Sequence, residues 1–115
     1  MQAGAEPTLA EVQSLPDWTL LEFGASWCGY CQAARPLVDA ELSRYPQIRR
    51  LWVEDGKGRP LGRAFGIKLW PTLVLLQNGR ELRRVVRPSA PHELEILLQP
   101  TAGRHDPVVD PAPSG

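Results

Sequence analysis

Thr19-Leu20-Leu21-Glu22-Phe23-Gly24-Ala25-Ser26-Trp27-Cys28-Gly29-Tyr30-Cys31 is the stretch that decides the fold. Thr19 to Gly24 is a short apolar run broken by one acid, the pattern of a buried strand in a parallel sheet. From Trp27 to about Tyr45 the period changes, and Cys31, Ala34, Leu37, Val38, Glu41 and Leu42 fall close to one helical stripe. The cysteine pair therefore sits where a buried strand gives way to a helix. Unpaired N–H groups and about half a positive charge at a helix N-terminus favour a thiolate at Cys28. Cys31, one turn further in, is expected to face the core.

Outward from this stretch, Thr8 caps a short helix through Leu9, Val12 and Leu15, which Pro16-Asp17 ends. Downstream, Ile48–Glu54 reads as a second strand and residues 55–60, DGKGRP, as a loop. Leu61–Phe65 then makes a short helix that Gly66 terminates. Thr72–Gln77 is a third strand, Asn78-Gly79 a two-residue hairpin signal, and Glu81–Arg87 the antiparallel partner. Ser89 is placed to cap a last helix with Glu93 completing a capping box and Leu94, Leu97 and Leu98 as its buried face. The order α, β, α, β, α, β, β, α predicts an α/β fold, a three-layer α/β/α sandwich with a central mixed sheet, largely parallel with an antiparallel edge. Residues 1–7 are expected to be a flexible N-terminus, 8–99 the domain, and 100–115, rich in Pro and Gly, a disordered tail.

Composition narrows the function. Thirteen basic and thirteen acidic residues cancel, so no global field holds nucleic acid or an anionic membrane. The apolar stretch around Leu73–Leu76 is far short of the roughly 20 residues that span a bilayer. The first residues lack a basic segment followed by an apolar run, which favours the cytoplasm, or the periplasm if an export signal has been removed. Arg80, Arg83, Arg84 and Arg87 read as charges that keep an edge strand from pairing with another sheet. Two cysteines this close together close too short a loop to stabilise a fold by their disulfide. A zinc site would need His92 and His105 with none of the usual ligand spacing, so neither metal nor cofactor is expected.

Reversible chemistry is the remaining use of the pair. In that geometry Cys28 attacks a disulfide to form a mixed disulfide, and Cys31 attacks Cys28 to release the product. Cys31 must lose a proton in the second step, and Glu22 on the adjacent strand is the candidate acceptor, since a buried carboxylate without a partner exchanges protons nearer neutral pH.

The pieces LLEFGASWCGYC, Pro36 in the following helix, AFGIKLWPTLVLLQNG and a closing amphipathic helix resemble the thioredoxin family, colinearly over roughly residues 20–98. The resemblance implies the thioredoxin fold, a protein-disulfide oxidoreductase activity, Trp27 beside the active site and Glu22 as the family's buried acid. It also implies that Trp70-Pro71-Thr72 forms a cis-proline loop whose Trp70 backbone pairs with an extended substrate. Disulfide-bearing protein substrates and a separate reductase as electron donor follow from the same resemblance, and a monomer is expected.

Several positions depart from the family pattern. Gly29-Tyr30 replaces a dipeptide that ends in proline in thioredoxins proper and looks like disulfide isomerases or glutaredoxins. It frees an N–H near the sulfurs, which shifts the couple in the oxidising direction. Gly24 stands where many members have an aromatic, Leu51 replaces a lysine that neighbours the buried acid, and Arg87-Pro88 replaces a small glycine-containing segment of the substrate cleft. Trp27, Gly29, Tyr30, Trp70, Pro71 and Arg87 are thus the candidate substrate-binding residues. Two other functions fit the same residues: a disulfide isomerase or oxidant in an oxidising compartment, and a redox-gated binding module without turnover.

Overall fold

The computed structural model describes residues 6–102. The elements are α1 (Leu9–Gln13), β1 (Trp18–Gly24), α2 (Gly29–Leu42), β2 (Arg49–Glu54), α3 (Pro60–Ala64), β3 (Thr72–Gln77), β4 (Arg80–Val86) and α4 (Pro91–Leu98), followed by a 3-10 turn at Gln99–Thr101. The four strands lie in the order β2-β1-β3-β4. Helices α2 and α4 cover one face around Leu20, Val38, Leu73, Leu75 and Leu94. Helices α1 and α3 cover the other around Val12, Leu21, Leu61, Val74 and Leu76. The sandwich is the expected one.

The sheet is mixed, but it is not largely parallel. β1 and β2 run parallel, while β3 is antiparallel to both β1 and β4. Residues 55–71 are long enough to cross the sheet, but they fold back through α3 onto the end they left, so the chain leaving β2 at Glu54 re-enters the sheet at the same end, with Thr72 opposite Phe23.

Local chemistry sets the element ends. Thr8 and Glu11 form a reciprocal capping box on α1. Asn78 and Gly79 adopt φ of 50° and 80°, the left-handed pair that a tight hairpin needs. The last helix is capped by Ala90 rather than Ser89: the Glu93 carboxylate accepts from the N–H groups of both Ser89 and Ala90, at 2.6 and 3.0 Å, so a carboxylate replaces the hydroxyl cap. Regular structure also runs past the expected start of the tail, because the Thr101 hydroxyl donates to the Leu98 carbonyl and Thr101 is buried. Glu6, expected to be flexible, accepts the Leu61 N–H at 3.0 Å and pairs with Arg59. Residues 1–5 and 103–115, including His105, lie outside the described residues. Among the described residues no helix is long and apolar enough to cross a membrane.

Candidate active site

The cysteines stand at the end of the sheet where β1 and β2 finish and β3 begins. Cys28 is the N-cap of α2, and its sulfur accepts the N–H of Cys31 at 3.2 Å. The turn before it is closed by the Cys28 N–H donating to the Ala25 carbonyl. Both thiols are free and buried.

Their electrostatics differ. Burial pushes the Cys28 thiol up, but hydrogen bonds from the Cys31 thiol and from the N–H groups of Cys31 and Tyr30, with the charge of Arg87, outweigh it and leave the group below its ordinary value. Burial is also the largest influence on Cys31. With the bond to Cys28 and the negative charges of Cys28 and Glu54, it pushes Cys31 up to about 11. The two thiols are displaced in opposite directions, Cys28 toward the anion and Cys31 toward the protonated form.

Glu22 is buried, but it is not unpartnered. Arg50 Nε donates to Glu22 Oε2, Nη2 donates to Oε1 at 3.3 Å, and Nη1 donates to Asp39 Oδ1 at 2.7 Å. The expectation had Leu51 at the place of a neutralising cation, leaving the acid alone. Strand register corrects it: Glu22 lies opposite Trp52, so alternation puts Arg50 and Trp52 on the Glu22 face and turns Leu51 to the α1–α3 side. Glu22, Cys31, Trp52 and Pro71 all line one cavity of about 10 Å3, the size of a single water.

Gly24 is explained from the same strand. A Cβ there would stand 2.6 Å from Cys31 Sγ and 2.8 Å from the ring of Trp52. The aromatic missing from β1 is supplied across the sheet by β2. Trp52 is fixed in turn, its Nε1–H donating to Glu54 Oε1 at 3.0 Å and Arg35 stacking over its ring at 5.5 Å. The other Glu54 oxygen accepts the Ser26 N–H at 3.0 Å, ahead of the cysteine turn. That bond, outweighing burial and helped by Trp52 and the Ser26 hydroxyl, holds Glu54 below the usual carboxylate range. Arg50, Trp52 and Glu54 were not singled out from the sequence; the alternation of β2 against Glu22 was the signal available.

The Trp70–Pro71 peptide bond is cis. Trp70 lies beside the cysteines and its Nε1–H donates to Asp55 Oδ2 at 2.9 Å. Its ring meets Trp27 edge-on at 5.4 Å, and Trp27 is 73% exposed. The Trp70 carbonyl, expected to face substrate, already accepts Arg87 Nε at 2.8 Å. Arg87, at φ 50°, also lies 3.9 Å over the exposed ring of Tyr30. Gly29 opens α2, and a Cβ there would meet nothing within 4 Å. Among the described residues no group of three or more His, Cys, Asp or Glu side chains is placed to hold a metal. A larger cavity, about 660 Å3, lies far from the sulfurs between the end of α2 and α4, beside Tyr45 and Ile96.

A mixed sheet whose first strand delivers a capped Cys-x-x-Cys beside a cis-proline loop defines a thiol–disulfide oxidoreductase. The chain belongs to the thioredoxin family, whose sequence profile matches residues 8–99. It is 48% identical to thioredoxin 2 of Pseudomonas aeruginosa in its reduced form, with a TM-score of 0.72, covering 87% of this chain and 97% of that one. A thioredoxin of Aspergillus fumigatus is 31% identical over 80 residues, 70% of this chain and 74% of the relative. A thioredoxin of Chlamydia muridarum is 35% identical over 68 residues, 58% of this chain and 66% of the relative. Membership carries, in general terms, protein substrates and a reductase partner.

Proposed function

We propose that the chain reduces protein disulfides, with Cys28 as the nucleophile and Cys31 as the resolving thiol. The Cys28 thiolate attacks one sulfur of the client disulfide, and the other sulfur leaves as a thiolate. Cys31 then gives up its proton and attacks Cys28 Sγ, which forms the Cys28–Cys31 disulfide and frees the second client thiol. Two electrons pass from the dithiol to the client, and a separate reductase restores them. The observation that supports this reading is the opposite displacement of the two thiols, Cys28 down and Cys31 up to about 11. A protein that donates electrons through a dithiol works in a reducing compartment, and the cytoplasm is the compartment of this reading.

Glu22 takes the Cys31 proton in this scheme, through the one-water cavity that both line. Trp70 and Pro71 seat the client, with Trp27, Gly29, Tyr30 and Arg87 around the reacting sulfur. Incubated with a disulfide-bonded model protein, Cys31→Ser accumulates a mixed disulfide through Cys28, whereas Cys28→Ser forms none. Equal trapping by both variants would remove the assignment of roles. In single-turnover experiments Glu22→Ala slows mixed-disulfide release by about a hundredfold or more and leaves the first attack nearly unchanged. Arg50 keeps Asp39 as its partner in that variant. Equal slowing of both steps would take Glu22 out of the proton path.

A further inference from the structure

Tyr30, Ala33 and Leu37 of α2 face Arg87, Pro88 and Ser89 across a pocket of about 220 Å3. That is below the roughly 300–1,000 Å3 of small-molecule sites, a size for a side chain rather than a cofactor. Arg87 is held beside it at three points: its Nε on the Trp70 carbonyl, its backbone N–H on the Pro71 carbonyl at 2.9 Å, and its guanidinium on the Tyr30 ring. A group already fixed in place loses little further freedom on binding.

The guanidinium is half-buried and lacks a carboxylate. Among the described residues no carboxylate lies within ion-pair distance of Arg87; Arg35, Arg49, Arg63, Arg80 and Arg83 lack one too, but they are exposed to water. Glu93, which follows in the chain, spends one oxygen on the N–H groups of Ser89 and Ala90 and does not line the pocket. The charge of Arg87 acts instead on Cys28. Once Cys28 enters a mixed disulfide, that anion is gone, and Arg87 faces the bound client uncompensated.

We propose that this pocket is a subsite for an acidic side chain of the client, so that disulfides flanked by Asp or Glu are reduced in preference. The inference rests on the oxidoreductase reading above. The methylenes of the client residue lie against Ala33, Leu37 and Pro88, its carboxylate accepts from the Nη groups of Arg87, and the Ser89 hydroxyl is a second donor. The exchange moves two electrons from the Cys28–Cys31 dithiol to the client disulfide, whose sulfurs leave as thiols.

The test uses three disulfide-linked peptides with Glu, Gln or Lys beside one cysteine. Excess dithiothreitol is the final reductant, and each rate is normalised to that of dithiothreitol alone. The full chain is expected to reduce the Glu peptide about threefold to fivefold faster than the Gln peptide, and the Lys peptide slowest. Added salt should shrink the advantage. Arg87→Gln slows all three and brings the Glu-to-Gln ratio to one. Ala33→Leu, which fills the pocket and leaves Arg87 in place, also removes the preference. Equal wild-type rates overturn the subsite alone, as does a preference that survives either substitution. Failure to reduce any of the peptides overturns the oxidoreductase reading and the subsite with it.

Discussion

Tyr30 gives the Cys28 sulfur a backbone N–H that proline could not supply. The same residue offers its ring as the seat of Arg87, whose charge also favours the thiolate. Stabilising the thiolate stabilises the dithiol form and moves the couple in the oxidising direction. Tyr30→Pro reverses both effects. The variant should fold, because position 30 lies in the first turn of α2, where the N–H has no intrahelical partner, and the preceding Gly29 has no Cβ to clash. Its Cys28 alkylation profile is expected to move to higher pH, since a group whose pKa rises loses its anion sooner as pH falls. The reduction potential should fall by on the order of 10–30 mV. An unchanged profile would remove the Tyr30 N–H from the thiolate's support. Cysteine spacing made this much legible from sequence, along with Glu22 as an acid inside an apolar strand. The partner of Glu22 was not legible, because choosing Arg50 over Leu51 requires the register of β1 against β2, which no single strand encodes.

At the scale of elements, the strongest local signals held. Asn78-Gly79 closes the hairpin, and Thr72–Gln77 is the third strand with the expected bounds. Strand direction was not local. It depends on where residues 55–71 pack, and with length enough to cross the sheet they fold back through α3 to the end at which β2 finishes. The result matters for chemistry, because a β3 that starts at the β1 C-terminal end brings Pro71 level with Cys31. β4 is an edge strand, and two of its three arginines are engaged: Arg84 pairs with Glu81, and Arg83 donates to the Ile96 carbonyl at 2.6 Å. That fits the protection of an edge, while Arg87, just beyond the strand, has been drawn into the site. Gly24 and Trp52 are also a property of paired elements, an aromatic moved from β1 to β2 with the same space filled beside Cys31.

The whole molecule is two cores joined by the two central strands, with Leu20 of β1 in the α2–α4 core and Leu21 and Phe23 in the α1–α3 core. Along β3, Leu73 and Leu75 enter the α2–α4 core while Val74 and Leu76 enter the α1–α3 core. Neither layer can loosen without dragging β1 and β3, and the loop that carries Pro71 feeds directly into β3. Leu75, fully buried, is the place to test this. Leu75→Ala is expected to cost about 2–5 kcal/mol of a stability on the order of 5–15 kcal/mol. The loss should appear as a single shifted denaturant transition, followed in parallel by far-UV circular dichroism and tryptophan fluorescence. The probes divide usefully, since Trp18 packs on the α2–α4 core while Trp52 and Trp70 pack against the cysteines. Coincident curves for both probes, with Cys28 reactivity changing at the same midpoint, would show that the site is held by the sheet as one cooperative unit. A fluorescence transition that precedes the loss of secondary structure would mean that the cysteine end opens on its own. The positions of Cys28, Pro71 and Arg87 would then depend on their local hydrogen bonds rather than on the two cores.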